Sequence, residues 1–139
     1  MQKHTSQQGL GQGISEVYTK GTMTVGSALL IGFHALIAWV LIETFVNIGH
    51  GLSRVSYVVW HYVVVVASFA GMFALYHRLF ETDATPFAIT VTGMSFVLFF
   101  ELVVFRYLYS GERWFLNWID WILPIFLATT TIYAVSALW

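Results

Sequence analysis

Residues 25–48 of this chain read VGSALLIGFHALIAWVLIETFVNI, with Glu43 as the one formally charged side chain. A helix needs about 20 apolar residues to cross the roughly 30 Å hydrocarbon core of a bilayer, and this stretch supplies them. Three further apolar stretches follow, at about 55–76, 87–109 and 116–139. The sequence therefore predicts four transmembrane helices.

Composition supports a membrane protein and excludes several functions. Of the 139 residues, 58% are hydrophobic and 9% are charged, whereas about 25% of a soluble domain is charged. With 6 Lys and Arg residues in total there is no basic patch, so we expect no nucleic-acid partner and no nucleotide cofactor. The chain has no Cys, which excludes disulfides and thiolate chemistry.

The chain divides into a polar tail, residues 1–24, and a single transmembrane domain, residues 25–139. The tail is rich in Gln, Gly, Ser and Thr, and its composition predicts disorder in isolation. Short connections between the four spans make consecutive helices antiparallel, so the fold class is an all-α, up-down four-helix bundle. Pro124 lies four residues after Asp120 and predicts a kink in the last span.

Charged residues near the ends of the spans leave the orientation open. The side of the termini and the opposite side each hold three cations, which are Lys3, Lys20 and Arg78 against Arg54, Arg106 and Arg113. The positive-inside rule therefore does not decide between the two orientations. We expect a multi-pass protein with both termini in the cytoplasm, the common arrangement for an even number of spans.

Ionisable side chains inside the spans form the candidate site. A charge in hydrocarbon costs about 3 kcal/mol, so such residues rarely occur without a partner or a role. At 1.5 Å and 100° per residue, each helix brings one ionisable group to a common level, toward the side of the first and third loops. The predicted polar layer, with a structural, proton-carrying or ligand-binding role, comprises Glu43, Asn47, His61, Glu101, Arg106, Asn117 and Asp120.

Three interpretations of this layer stay open. In the first, the carboxylates and Arg54, Arg106 and Arg113 form an ion-pair network that specifies packing. In the second, the layer belongs to a proton or ion path, although the half of the bilayer near the termini offers few polar groups to continue it. In the third, a metal ion binds to mixed nitrogen and oxygen ligands, which would be His61, Glu43, Glu101 and Asp120.

Cofactors other than a metal ion are not indicated. His34 and His61 are about six residues out of level, so they do not predict a haem held by two histidines. His34 alone is a candidate pigment or haem contact toward another subunit. The segment Trp118-Ile119-Asp120-Trp121 resembles the third helix of microbial rhodopsins. It covers under a tenth of the chain, and no lysine lies within the spans to bind retinal.

The function predicted from the sequence is that of a small four-span integral membrane subunit. We expect it to be a non-catalytic accessory component of a larger complex, such as a redox complex, and not an enzyme on its own. Its predicted partners are lipids and other integral membrane subunits, in a hetero-oligomer or homo-oligomer. The alternatives are a proton or ion channel or transporter subunit, and a metal-binding oxidoreductase subunit.

Overall fold

A computed structural model describes residues 23–107 and 118–139, with side chains for 23–104 and 119–139. Its main helices are α1 (Val25–Ile48), α2 (Arg54–Leu79), α3 (Pro86–Tyr107) and α4 (Leu123–Leu138). A 3₁₀ turn at Gly49–Gly51 follows α1, and a π-helical turn at Trp118–Ile122 leads into α4. Almost all of the predicted tail, 1–24, lies outside the described residues.

Four helices are long and apolar enough to cross a membrane. The spans are Val25–Gly51, Arg54–Leu79, Pro86–Val104 and Ile119–Leu138. The predicted all-α four-helix bundle is confirmed, and the chain is a multi-pass integral membrane protein.

Local signals at the helix ends explain where the spans begin. The Thr24 hydroxyl accepts a hydrogen bond from the Ser27 backbone N–H at 3.1 Å, which caps α1. Ser53 caps α2 in the same way through the Ser56 N–H. Pro86 is the first residue of α3, a position where its missing N–H costs no helical hydrogen bond.

The helices pack in a square whose order differs from the order of the chain. Helix α1 packs along both α2 and α3, and α4 also packs along both of them. The pairs that face each other across the square are therefore α1 with α4 and α2 with α3. Residues 80–85, which connect α2 to α3, join helices at opposite corners of the bundle.

Two glycines make room for aromatic side chains of other helices. A Cβ at Gly32 of α1 would lie 2.8 Å from the ring of Phe96 on α3. A Cβ at Gly93 of α3 would lie 2.9 Å from the ring of Phe73 on α2. Small residues at such crossings let membrane helices gain van der Waals contact. Aromatic rings thus fill the space that the glycines leave.

Candidate functional site: a polar chamber open to one side

All four helical segments contribute to an internal cavity of about 60 Å³, which we call the polar chamber. Most of its wall is apolar, from Ile42 on α1 to Ala128 on α4. Its polar lining includes Trp39, Glu43, Tyr57, His61, Glu101 and Asp120. The structure therefore brings together four ionisable residues, one from each helical segment, that the sequence places at a common level.

An ion pair lies at the outer edge of the chamber. Arg54, the first residue of α2, donates to Asp120 Oδ2 at 2.7 Å. The Asp120 side chain is 8% exposed and the Arg54 side chain is 57% exposed. The carboxylate is thus buried while its cation reaches outward, an arrangement that avoids burying both charges.

A tryptophan holds the second carboxylate in place. The Trp39 indole N–H donates to Glu101 Oε1 at 2.9 Å, which joins α1 to α3 across the chamber. The Trp39 ring also packs against Phe100. Because a hydrogen bond to a charged acceptor is stronger than one between neutral groups, this contact fixes Glu101 in its position.

Two buried polar atoms in the chamber wall have no partner among the described residues, namely His61 Nδ1 and Asp120 Oδ1. His61 is 5% exposed, and its ring packs beside those of Tyr57 and Phe45, with ring centroids 5.6 and 6.4 Å away. Buried polar groups in proteins nearly always have a hydrogen-bond partner, either from the protein or from bound molecules. The bundle itself therefore leaves these two acceptors beside the chamber unsatisfied.

A second, more open cavity of about 450 Å³ adjoins the polar chamber, and we call it the entry cleft. Its wall includes His50 and Leu52 from the connection between α1 and α2, and Arg54 at the start of α2. Tyr57 and Asp120 line both cavities and stand at the boundary between them. The chamber is thus approached from the side of the first loop.

Toward the other side of the membrane the bundle is closed by large apolar residues. Phe69 lines the inner end of the chamber, and Phe73 and Tyr76 follow on the same face of α2. Ile31 and Ile132 fill the same region from α1 and α4, and all five are no more than 1% exposed. We call these five residues the apolar floor. It separates the chamber from the end of the bundle that carries the chain termini.

The π-helical turn places Asp120, and two residues account for it. In a π turn a backbone N–H bonds to the carbonyl five residues earlier, but Pro124 has no N–H to offer Ile119. The Tyr62 hydroxyl on α2 donates to the Ile119 carbonyl instead, at 2.8 Å. The irregularity lies where Pro124 predicts it, and α2 supplies the missing donor.

The remaining residues of the predicted polar layer have different outcomes. Asn47 is exposed, and its side-chain amide donates to the Glu43 backbone carbonyl at 2.8 Å, so it does not line the chamber. Arg106 belongs to α3, but its side chain is outside the described part. Asn117 lies outside the described residues altogether. Their roles stay predictions.

The proposed metal ligands share the chamber without converging on one point. Within residues 23–107 and 118–139 no group of three or more His, Cys, Asp or Glu side chains is arranged to hold a metal ion. His61, Glu43, Glu101 and Asp120 are spread around the chamber wall. Metal binding by these four residues stays a prediction, and this arrangement gives it no support.

His34 is enclosed in the interior of the bundle. Its side chain is 4% exposed, and its Nδ1 forms a hydrogen bond with the Leu30 carbonyl at 2.8 Å. The rings of Tyr76 and Phe80 contact it edge-on. A contact from His34 to a pigment or haem of another subunit stays a prediction, which this packing does not favour.

Two residues of the site were not identified from the sequence. Trp39 precedes Glu43 by four residues and so shares its helix face, a spacing that could have placed it in the site. Tyr62 acts on the backbone of another helix, and nothing in its own surroundings in the sequence indicates this contact.

Comparison with known proteins assigns this chain to no family. No protein-family model matches the chain, no curated protein is significantly similar to it, and no solved structure matches it.

Proposed function

We propose that this protein is a small, non-catalytic subunit of a larger integral membrane complex, for example a redox complex. The observation that carries the proposal is the one-sided polar chamber, which opens at the entry cleft and ends at the apolar floor. A bundle closed in this way is suited to receiving a polar group from one side. In this proposal the ion pair and the buried carboxylates brace the helices against a partner.

The outer surface of the bundle supports this proposal. In the apolar 18-residue window of each span, between 22% and 33% of the residues are buried inside the bundle, so most residues there keep some exposed surface. Large aromatic residues on this surface include Phe33, Trp60, Phe99 and Phe126. The described connections, 49–53 and 80–85, are too short to form a catalytic domain. Lipids and neighbouring transmembrane helices are the partners that such a surface accommodates.

Native purification tests the proposal directly. The protein is extracted from its own membranes in a mild detergent or a polymer nanodisc and analysed by native mass spectrometry. We expect its mass to be detected in a complex with other integral membrane subunits at defined stoichiometry. A chain that is recovered from its own membranes as a stable monomer would contradict the proposal.

A second candidate function is proton or ion transfer, and the contact between the entry cleft and the polar chamber favours it. Asp120 and Tyr57 line both cavities, so a proton could pass from the cleft to Glu43 and Glu101. Proteoliposomes with a pH-sensitive dye test this function. It predicts flux that Glu101→Gln abolishes and that Glu81→Gln, in the exposed loop, leaves unchanged. Unaltered flux in Glu101→Gln would exclude Glu101 as the carrier.

A further inference from the structure

The carboxyl groups of the polar chamber outnumber the cations that the structure places with them. Glu43, Glu101 and Asp120 all line the cavity. Among the described residues, Arg54 is the one cation paired with any of the three, and it binds Asp120. An uncompensated carboxylate in a low-dielectric interior is costly, and the cost is met either by protonation or by a nearby positive charge. A cation beside Glu43 and Glu101 would allow both to stay ionised.

The two atoms without partners define the hydrogen bonding that a ligand must supply. Asp120 Oδ2 forms the ion pair with Arg54, and the other oxygen of the carboxylate, Oδ1, offers a hydrogen-bond acceptor. His61 Nδ1 also accepts when the proton of the ring is on Nε2. Both side chains are more than nine-tenths buried and face the chamber. The complementary ligand is therefore a cation that donates hydrogen bonds.

A bare metal ion fits these acceptors poorly. Metal ions draw several ligand atoms to about 2.0–2.6 Å from a single point, and no three suitable side chains converge in this way within the described ranges. An ammonium group donates along several directions at N···O distances of about 2.7–2.9 Å. It can therefore reach acceptors that are spread around a wall. Trp39 and Tyr57 add aromatic rings of the kind that attract cations.

The chamber has room for a small cation. Its 60 Å³ accommodates several water molecules, since one needs about 10–15 Å³ of such a cavity. Ammonium or methylammonium fits this space, whereas a quaternary amine has no N–H to donate to the acceptors. The adjoining entry cleft of 450 Å³ gives such an ion a route from one side of the membrane.

We propose that the polar chamber is a binding site for a small primary ammonium cation, held by Glu43, Glu101, Asp120 and His61 and reached through the entry cleft. This proposal goes beyond membership in a complex and does not depend on it. The same ammonium chemistry is available from a free amine and from the headgroup of phosphatidylethanolamine, and the test separates these sources.

Equilibrium binding of radiolabelled methylammonium tests the site in the full chain, reconstituted in nanodiscs of phosphatidylcholine alone. We expect saturable binding that ammonium displaces and that equal concentrations of sodium or tetramethylammonium do not. Glu43→Gln and Glu101→Gln should each weaken binding about tenfold or more, because each removes a charged hydrogen-bond acceptor. Glu81→Gln is the matched control, since this loop carboxylate is exposed, and it should bind like the unaltered chain.

A second set of nanodiscs contains phosphatidylethanolamine. Methylammonium affinity that is unchanged there identifies a free amine as the ligand. Affinity that falls in these nanodiscs, with binding retained in phosphatidylcholine, identifies the lipid headgroup as the source of the ammonium group. Either result upholds an ammonium site.

Three results would overturn the proposal. The first is no saturable methylammonium binding in phosphatidylcholine, and the second is equal displacement by sodium. The third is unchanged affinity in both glutamine variants with their helix content intact.

If a variant fails to fold, carbodiimide labelling of Glu43 and Glu101 in the unaltered chain takes the place of that variant. Methylammonium should then protect both carboxyls where sodium does not, and equal labelling with either ion would overturn the site.

Discussion

Asp120 illustrates how one residue depends on three others. Arg54 binds its Oδ2, Tyr62 holds the backbone of the preceding residue, and Pro124 imposes the local irregularity that presents it to α2. Two of these residues belong to α2 and the third to α4. The position of the carboxylate is therefore a property of the assembled bundle and not of the last span alone.

Removing the cation of the Arg54–Asp120 ion pair should lower the free energy of unfolding more than removing the anion. Arg54→Ala leaves a buried carboxylate without its partner, and we expect a loss of about 1–3 kcal/mol in the free energy of unfolding. Asp120→Asn removes the charge and should cost less, and the double variant should recover part of the loss. The measurement is denaturant unfolding in mixed micelles, followed by circular dichroism.

Arg78→Ala serves as the control for this series, because Arg78 is exposed at the opposite end of α2. A loss of stability in Arg78→Ala equal to that in Arg54→Ala would show that the effect is not specific to the ion pair.

Trp39 offers a second test at a single residue. Trp39→Phe keeps an aromatic ring but removes the N–H that Glu101 accepts. We expect it to lower the unfolding free energy by about 1–2 kcal/mol, because a half-buried carboxyl group loses a hydrogen bond. Trp60→Phe is the matched control, since Trp60 is 55% exposed on the outer surface. Equal effects of the two substitutions would contradict a specific role for the Trp39–Glu101 contact.

At the scale of the helices, two glycines predict opposite results from the same substitution. Gly32→Ala places a Cβ within 2.8 Å of the Phe96 ring, and overpacking of this kind costs about 1–3 kcal/mol. Gly71→Ala meets no atom within 4 Å, and alanine is the better helix former. Thermal unfolding in detergent should therefore show a lower midpoint for the first variant only. A lower midpoint for Gly71→Ala as well would contradict this account of the α1–α3 contact.

The helices themselves could be predicted from the sequence, and their arrangement could not. Apolar length gives α1 the bounds that the structure has, Val25–Ile48, and places both ends of α2 and the start of α3 to within three residues. The predicted start of the fourth span, about 116, lies outside the described residues, and α4 begins at Leu123 after the π-helical turn. The depth of each residue in its span placed four residues at one level, and the same four line the polar chamber: Glu43, His61, Glu101 and Asp120. The square order has no signal in hydropathy, because a connection such as 80–85 reaches either an adjacent helix or the opposite one.

The contacts of the site were less predictable than its level in the membrane. Helical periodicity shows on which face of its own helix a side chain lies. It does not show which neighbouring helix that face contacts. The Trp39–Glu101 and Tyr62–Ile119 hydrogen bonds each join two helices, so they depend on the packing order. Asn47 shows the reverse case, a polar residue that satisfies its amide within its own helix.

For the whole molecule, the chamber predicts one-sided access to water. The chain has no Cys, so a single introduced Cys is the only thiol. Val46→Cys lies in the wall of both cavities and should react with a membrane-impermeant maleimide from the side of the first loop. Ile132→Cys lies in the apolar floor and should not react from either side.

Asp83→Cys, in the exposed loop between α2 and α3, provides the control from the opposite side. Its labelling in sealed vesicles of known orientation would also test the expectation of cytoplasmic termini. Reaction of Ile132→Cys from either side would show that the floor does not separate the chamber from the far face.

The site has a consequence for how the protein is made. Its polar groups come from every helical segment, and Asp120 belongs to the last one to leave the ribosome. A chain inserted only as far as α3 holds Arg54, Glu43 and Glu101 in the membrane without the carboxylate that pairs with Arg54. Such an intermediate displays unmatched charges within the bilayer, a feature by which membrane quality control can distinguish an incomplete chain from a finished one. Completion of the fourth span supplies Asp120, which pairs with Arg54 and removes the unmatched cation.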